Sequence, residues 1–358
     1  MPFQKRIPLS GGVVALLCFI VARAAGEYGW SGAALVATFA MLAMHFQLHP
    51  KLNIFAFTFW VFAMTSWGLY FPAHFTSWGG FNPSRLNVPL IQLIMLGMGA
   101  TLSLADFARA LRMPQAVLIG MLLQFSVMPL LGWTLALAFG FPNEIAAGVV
   151  LIGSCSGGVA SNVMAFLAKG NVALSVTMTA CSTLMAPLMT PLAMQLLAGR
   201  FIEIQFVAMM IAVVELVILP VGAGLVLNRL LAKRRDLLDR FLPGMSMAGI
   251  CLILAIIAAG SRNELLRSGV ALLGAALLHN VAGYVLGYSA AGLCKLRETD
   301  RRTVALEVGM QNGGMAVGLA TTVLKSPAAA LAPGIFGTFM NVTGSALASW
   351  WRDRPPED

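Results

Sequence analysis

Two short polar stretches carry most of the chemistry in this chain. "GSCSGGVASN" occupies residues 153–162 and places Ser154, Ser156, Ser161 and Asn162 among Gly153, Gly157 and Gly158. "ALEVGMQNGGMAVG" occupies residues 305–318 and places Glu307, Gln311 and Asn312 beside Gly313 and Gly314. Each lies inside an otherwise apolar run. Glycines let a chain leave helical geometry. Carbonyl oxygens freed in this way, with hydroxyls and amides, suit a hard monovalent cation such as Na⁺, and half-helix N-termini suit an anion. Glu307 has no Lys or Arg within its own apolar segment, the nearest being Arg301 and Arg302 at its end. A mid-membrane carboxylate costs roughly 2.5–3.5 kcal/mol on insertion scales. A bound cation would neutralise it, and so would a proton.

The elements that must position these residues are membrane helices. Apolar residues make up 59% of the 358-residue chain and charged residues only 10%, against roughly 25% in soluble domains. Windows of about 20 residues, the length that crosses a bilayer, pick out twelve candidate spans: 9–25, 30–47, 52–71, 87–104, 114–140, 143–168, 171–197, 204–228, 242–260, 268–294, 303–324 and 328–350. The first, preceded by Lys5 and Arg6, also has the look of a secretory signal, but span 30–47 follows it at hairpin distance. With the N-terminus inside, 17 of the 23 Lys and Arg residues fall on the inner face and 6 on the outer. The positive-inside rule then places both termini in the cytoplasm.

Other function classes lose ground on the same residues. The net charge of +9 is spread over short loops and forms no patch for nucleic acid. The five cysteines show no metal spacing. Four histidines (His45, His49, His74, His279) offer no paired His and carboxylate set for a membrane enzyme, and there is no Walker motif for a P-loop pump. No segment is long or polar enough to form a soluble domain.

The two interruptions occupy matching places. The first lies in the fourth span counted from residue 52, the second in the fourth counted from residue 204. Each is followed by a span with prolines or polar residues, Pro187 and Pro191 in one, Pro333, Asn341 and Thr343 in the other. Two five-helix halves of this kind form an inverted repeat. The expected division is a two-helix extension over 1–50, repeats over 51–200 and 201–351, and a tail over 352–358. Single residues keep a blander reading. Gly148 or Gly153 would serve close helix packing equally well. Ser175 and Thr179 share a helix face at i, i+4 spacing, yet each hydroxyl could bond its own backbone. Gln124 could make an ordinary interhelical hydrogen bond.

"CSGGVASNVMAFLAKGNVALSVTMTACSTLMAPLMTP" (155–191), "ALEVGMQNGG" (305–314) and "GMLLQFSVMPLLGW" (120–133) resemble signatures of the bile acid:sodium symporter family, over residues 52–350. The resemblance implies an all-α membrane protein with a ten-helix inverted-repeat core, core and panel domains, two crossed broken helices, and here two extra N-terminal helices. It implies one Na⁺ site from Ser161, Asn162, Ser175, Thr179 and Glu307. A second would use Gln124, Glu307, Gln311 and the carbonyls of Val308 and Met310. Asn312 and Asn341 become candidate substrate contacts. Met340 and Val159 stand where relatives can have His and Thr, which makes the pocket less polar and counts against bile acid recognition; the substrate implied is an organic anion, bile-acid-like or a small carboxylate such as a pantoate precursor.

The expectation is a sodium-coupled symporter importing an organic anion across a bacterial inner membrane, with no oligomer required. The alternative is a proton-coupled or uncoupled carrier of the same fold. Glu215 falls in a panel helix by the resemblance and is read as structural, with a place facing the groove or near the inner face as the alternatives. His279 and Asn280 are read as an interhelical polar contact, and Trp350 and Trp351 with Arg352 as an interfacial anchor.

Overall fold

The computed structural model describes residues 7–49, 53–110, 112–231, 235–354 and 356. Lys5, Arg6, Lys51, Lys233 and Arg234, which contributed to the inner-face charge count, lie outside the described residues. The helices are α1 (Ile7–Ala24), α2 (Tyr28–Gln47), α3 (Ala56–Tyr70), α4 (Asn87–Gly99), α5 (Leu104–Ala110), α6 (Pro114–Ala138), α7 (Asn143–Ser154), α8 (Ala160–Leu167), α9 (Val172–Ala198), α10 (Phe206–Leu230), α11 (Arg235–Gly260), α12 (Arg262–Leu293), α13 (Glu298–Gly309), α14 (Gly313–Thr322) and α15 (Pro327–Arg352). Six stretches among the described residues are helical, long and apolar enough to cross a membrane: α2, α6, α9, α10, Phe241–Gly260 and α12. The chain is a multi-pass, all-α membrane protein.

Contacts divide the chain into two units. One takes in the described residues up to Leu90 together with Met245–Arg267, the other Ile91–Gly244 and the residues from Ser268 onward. In the first, α1 packs on α2 and α2 on α3. Phe46 stacks on Phe59 with ring centroids 4.9 Å apart. The backbone of Gly68 lies so close to the Ala255 carbonyl that a side chain would collide with it. The two N-terminal helices are therefore packed elements.

In the second unit the two interrupted segments are the most deeply placed. Every residue of α7 from Ile145 to Ser154 is buried, and so is α13 from Arg302 to Gly309. Both helices stop where the sequence places its glycines. α7 ends at Ser154 and α8 starts at Ala160; α13 ends at Gly309 and α14 starts at Gly313. The two gaps lie side by side and pair as a short antiparallel bridge between Gly157 and Gln311. Gly158 N–H donates to the Met310 carbonyl (2.9 Å) and Asn312 N–H to the Ser156 carbonyl (2.8 Å).

Side chains satisfy the remaining backbone groups. Thr190 donates to the Ser154 carbonyl, Gln124 to the Cys155 carbonyl and Ser161 to the Gly158 carbonyl, each at 2.7 Å. Ser182 Oγ accepts from Gly157 N–H at 3.2 Å. In a bilayer core, where water is absent, such partners are what permit a broken helix. The glycines thus divide by role. At Gly148 and Gly153 a Cβ would run into the carbonyls of Ala329 and Met128, so these two serve close packing.

A second irregularity recurs in α6 and α10. Residues Leu123–Val127 form a π turn in which Met128 N–H reaches back to the Leu123 carbonyl. The next N–H in that register would serve Gln124, but residue 129 is proline. Val214–Ile218 repeats the arrangement: Leu219 N–H bonds the Val214 carbonyl, and Pro220 has no N–H to offer Glu215. Proline five residues after a polar residue therefore leaves that residue's own carbonyl without a helical donor.

Candidate functional site: an oxygen-rich cluster around Glu307

Glu307 sits in the last turn of α13 with 1% of its surface exposed. Three hydroxyls surround its carboxylate. Ser161 from α8 bonds Oε2, and Thr179 from α9 bonds Oε1. Ser175, one turn before Thr179, lies 3.0 Å from Oε2. The i, i+4 spacing on α9 thus places both hydroxyls on one side of the carboxylate. Asn162 completes the group. Its Oδ1 lies 2.8 Å from Ser175 Oγ and 3.3 Å from Thr179 Oγ1.

The proton count of this cluster is informative. The three hydroxyls make six close oxygen contacts, two each, to Gly158 O, Asn162 Oδ1 and the two carboxylate oxygens. A hydroxyl has one proton to donate. Three hydroxyl protons serve six contacts; the Asn162 amide turned to present Nδ2 would add two, and the charge of the carboxylate is then balanced by a cation or by a proton. Among the described residues no Lys, Arg or His forms an ion pair with Glu307.

The second proposed set lies next to the first. Gln124 Nε2 on α6 bonds Gln311 Oε1 in the second interruption, and Gln311 Nε2 donates to the Val308 carbonyl at 2.6 Å. The Met310 carbonyl accepts from Gly158 N–H. Both carbonyls retain a second lone pair. Gly157 joins the two sets, because a Cβ there would lie 2.6 Å from Glu307 Oε1 and 3.3 Å from its carboxyl carbon. Gly157→Ala should force the carboxylate off Thr179. Sodium-induced thermal stabilisation of the purified protein should fall to near zero, with the fold retained as judged by gel filtration and circular dichroism.

The two candidate substrate residues are placed differently. Asn312 caps α14, accepting from Met315 N–H at 3.0 Å, and its Nδ2 faces the sulphurs of Met95 and Met98 at 3.9 and 3.7 Å. Asn341 turns its amide N–H onto the Gly337 carbonyl of its own helix at 2.8 Å. His279 Nε2 lies 3.2 Å from the Met128 carbonyl, and Asn280 donates to Thr343 at 3.3 Å. These two residues therefore link α12 to α6 and to α15.

The wider comparison can now be set beside this geometry. The sodium bile acid symporter family model matches residues 88–268. An uncharacterized sodium-dependent transporter of Bacillus subtilis, YocS, is 40% identical over 304 residues, covering 84% of this chain and 93% of the relative. The probable chloroplastic sodium/metabolite cotransporter BASS1 of Arabidopsis thaliana is 35% identical, covering 84% of this chain and 74% of the relative. This chain belongs to the sodium bile acid symporter family. Rice BASS2, another probable chloroplastic sodium/metabolite cotransporter, is 34% identical over 302 residues, covering 83% of this chain and 70% of the relative. The family is one of transporters rather than enzymes.

One polar assembly in this family member went unnoticed in the sequence. Arg302, counted there as an inner-face charge, is 4% exposed. Its Nε bonds Glu298 Oε1 at 2.8 Å. Its Nη1 lies 3.0, 3.3 and 2.9 Å from the carbonyls of Ala168, Trp351 and Arg354. Tyr288 donates to the other oxygen of Glu298 at 2.8 Å. Beside it, Asn171 bonds Asp300 and Thr303, each at 2.8 Å. The C-terminal ends of α8 and α15 and the start of α13 are thereby joined, with a cation placed against helix C-termini where the macrodipole favours it. The only signal in the sequence was the i, i+4 spacing of Glu298 and Arg302.

Proposed function

We propose that the chain is a secondary active symporter that uses two sodium ions to import a small organic anion. The observation that carries this reading is the cluster of Ser161, Ser175, Thr179 and Asn162 on the buried Glu307, which has no Lys or Arg ion-pair partner among the described residues. One ion takes this group. The other takes Gln124, Glu307, Gln311 and the carbonyls of Val308 and Met310, so one carboxylate serves two monovalent ions. The substrate sits by the meeting of the interrupted helices, near Asn312 and Asn341, where the N-terminal end of α14 favours negative charge. The names of the relatives, sodium-dependent transporter and sodium/metabolite cotransporter, agree with sodium coupling.

The same reading assigns the architecture. Residues 51–200 and 201–351 are two inverted five-helix repeats that form core and panel domains, residues 1–50 are an extension, and residues 352–358 are a short cytoplasmic tail. The location is the bacterial inner membrane, with both termini in the cytoplasm.

The energetics suffice for concentrative uptake. Two sodium ions moving down a ~100 mV potential and a tenfold gradient supply about 7 kcal/mol. Carrying a monovalent anion inward returns about 2.3 kcal/mol of this. The remaining ~5 kcal/mol supports accumulation on the order of several thousand-fold.

A thermal-shift screen of organic anions with and without Na⁺ identifies a substrate for proteoliposome uptake. At fixed pH, uptake should require Na⁺ and fall with Li⁺ or choline in its place. Uptake indifferent to Na⁺ would transfer the coupling role of Glu307 to a proton. Ser175→Ala and Thr179→Ala each remove one hydroxyl from a charged partner, worth about 1.5–3 kcal/mol. Each should raise the half-maximal sodium concentration about tenfold or more; no change in either would displace the first sodium site.

A further inference from the structure

Glu215 is the one carboxylate of α10, and neither sodium set uses it. It lies three residues from the middle of the 25-residue helix Phe206–Leu230, about 5 Å along the axis from the helix midpoint. It is exposed, on the same side as Ile211 and Leu219, which are also exposed. Its backbone is fixed rather than loose. The π turn and Pro220 deprive its carbonyl of a helical donor, and Gln92 Nε2 on α4 supplies one at 3.3 Å. On the opposite side, Leu216 is buried close to Gly318 of α14. Gly318 is five residues from the start of that helix, roughly 8 Å along its axis. Among the described residues no Lys or Arg forms an ion pair with Glu215.

An exposed side chain in a membrane helix meets either lipid or water. Hydrocarbon penalises a carboxylate heavily, and such residues characteristically face water-filled cavities. A lone negative charge there would repel a simple anion and attract a cation. We propose that Glu215, with Gln92 beside it, faces the aqueous path and binds a protonated amine on the transported metabolite. Among organic acids the chain would then prefer carboxylates that also carry an ammonium group; these have no net charge, so the cost counted above for a monovalent anion does not apply to them. This use of Glu215 presupposes a transport path; the labelling described next is independent of sodium coupling, so failure of that coupling and failure here are told apart.

The test places a cysteine next to the carboxylate. Ile211→Cys and Leu219→Cys are made separately in a Cys18→Ala, Cys181→Ala, Cys294→Ala background, which leaves only the buried Cys155 and Cys251. Each protein, in proteoliposomes of mixed orientation with and without Na⁺, is treated with cationic trimethylammonium-ethyl and anionic sulfonato-ethyl methanethiosulfonate. A thiol facing lipid reacts with neither. A unit charge about 8 Å away in water should change the cationic-to-anionic rate ratio by roughly fivefold, and Glu215→Gln should remove that preference. Lack of reaction at both positions, or a ratio unmoved by Glu215→Gln, overturns the proposal. A matched pair then tests the amine. 4-Aminobutyrate should slow labelling and butyrate should not, and the difference should vanish with Glu215→Gln. Equal effects of the two compounds, or none, overturn the ammonium assignment.

Discussion

Replacing Glu307 by Gln should abolish sodium-driven uptake while leaving a folded, membrane-inserted protein. Gln keeps the size of the side chain and can still bond the hydroxyls of Ser161, Ser175 and Thr179. What it removes is the negative charge at the centre of this buried group. Binding to the native state alone stabilises by RT ln(1 + [L]/Kd), about 1.4 kcal/mol per site at tenfold excess over Kd. The wild type should therefore unfold at a higher temperature in NaCl than in choline chloride, and the variant at the same temperature in both. A variant that keeps the sodium-dependent shift would remove Glu307 from the ion sites. Because both proposed sodium sets use its carboxylate, its loss should exceed that of either α9 hydroxyl.

The second large effect concerns stability rather than coupling. Arg302→Ala should destabilise the protein by about 3–5 kcal/mol, the range for breaking a buried ion pair by removing one partner. The variant would leave the Glu298 carboxylate with Tyr288 and the longer 3.5 Å contact to Arg301, and strip the Ala168, Trp351 and Arg354 carbonyls of their shared donor. Thermal unfolding in detergent without sodium measures this directly. Arg302→Lys should recover only part of the loss, since one ammonium cannot reproduce a fork that reaches Glu298 through Nε and the three carbonyls through Nη1. Stability equal to the wild type would show that the C-terminal end of α15 is held in some other way.

The interruptions of α7–α8 and α13–α14 were legible because composition announces them. A run of apolar residues of spanning length has no reason to hold several glycines with amides and hydroxyls unless the helix breaks there. Ser175 and Thr179 were singled out by the family resemblance; helical periodicity adds only that they share one face. Other features were not legible. Arg302 looked like one more inner-face charge, because burial depends on what α8 and α15 bring near it. Gly148 and Gly153 could not be separated from Gly157 by residue type. Only the neighbour decides, a carbonyl of a packed helix for the first two and the Glu307 carboxylate for the third. The π turns carried a cue, a polar residue five positions before proline, whose effect needs the hydrogen-bond register to be seen.

Residue types and their periodicity were enough to establish the membrane class, the places where helices break, and the oxygen chemistry around one acid. Those properties are local, set by transfer of side chains out of water and by the backbone freedom of glycine. Which oxygens face one another was decided by packing across more than a hundred residues of chain, as when Ser161 meets Glu307 and Gln124 meets Gln311. Hydrogen bonds of that kind depend on distances that no spacing along the chain encodes.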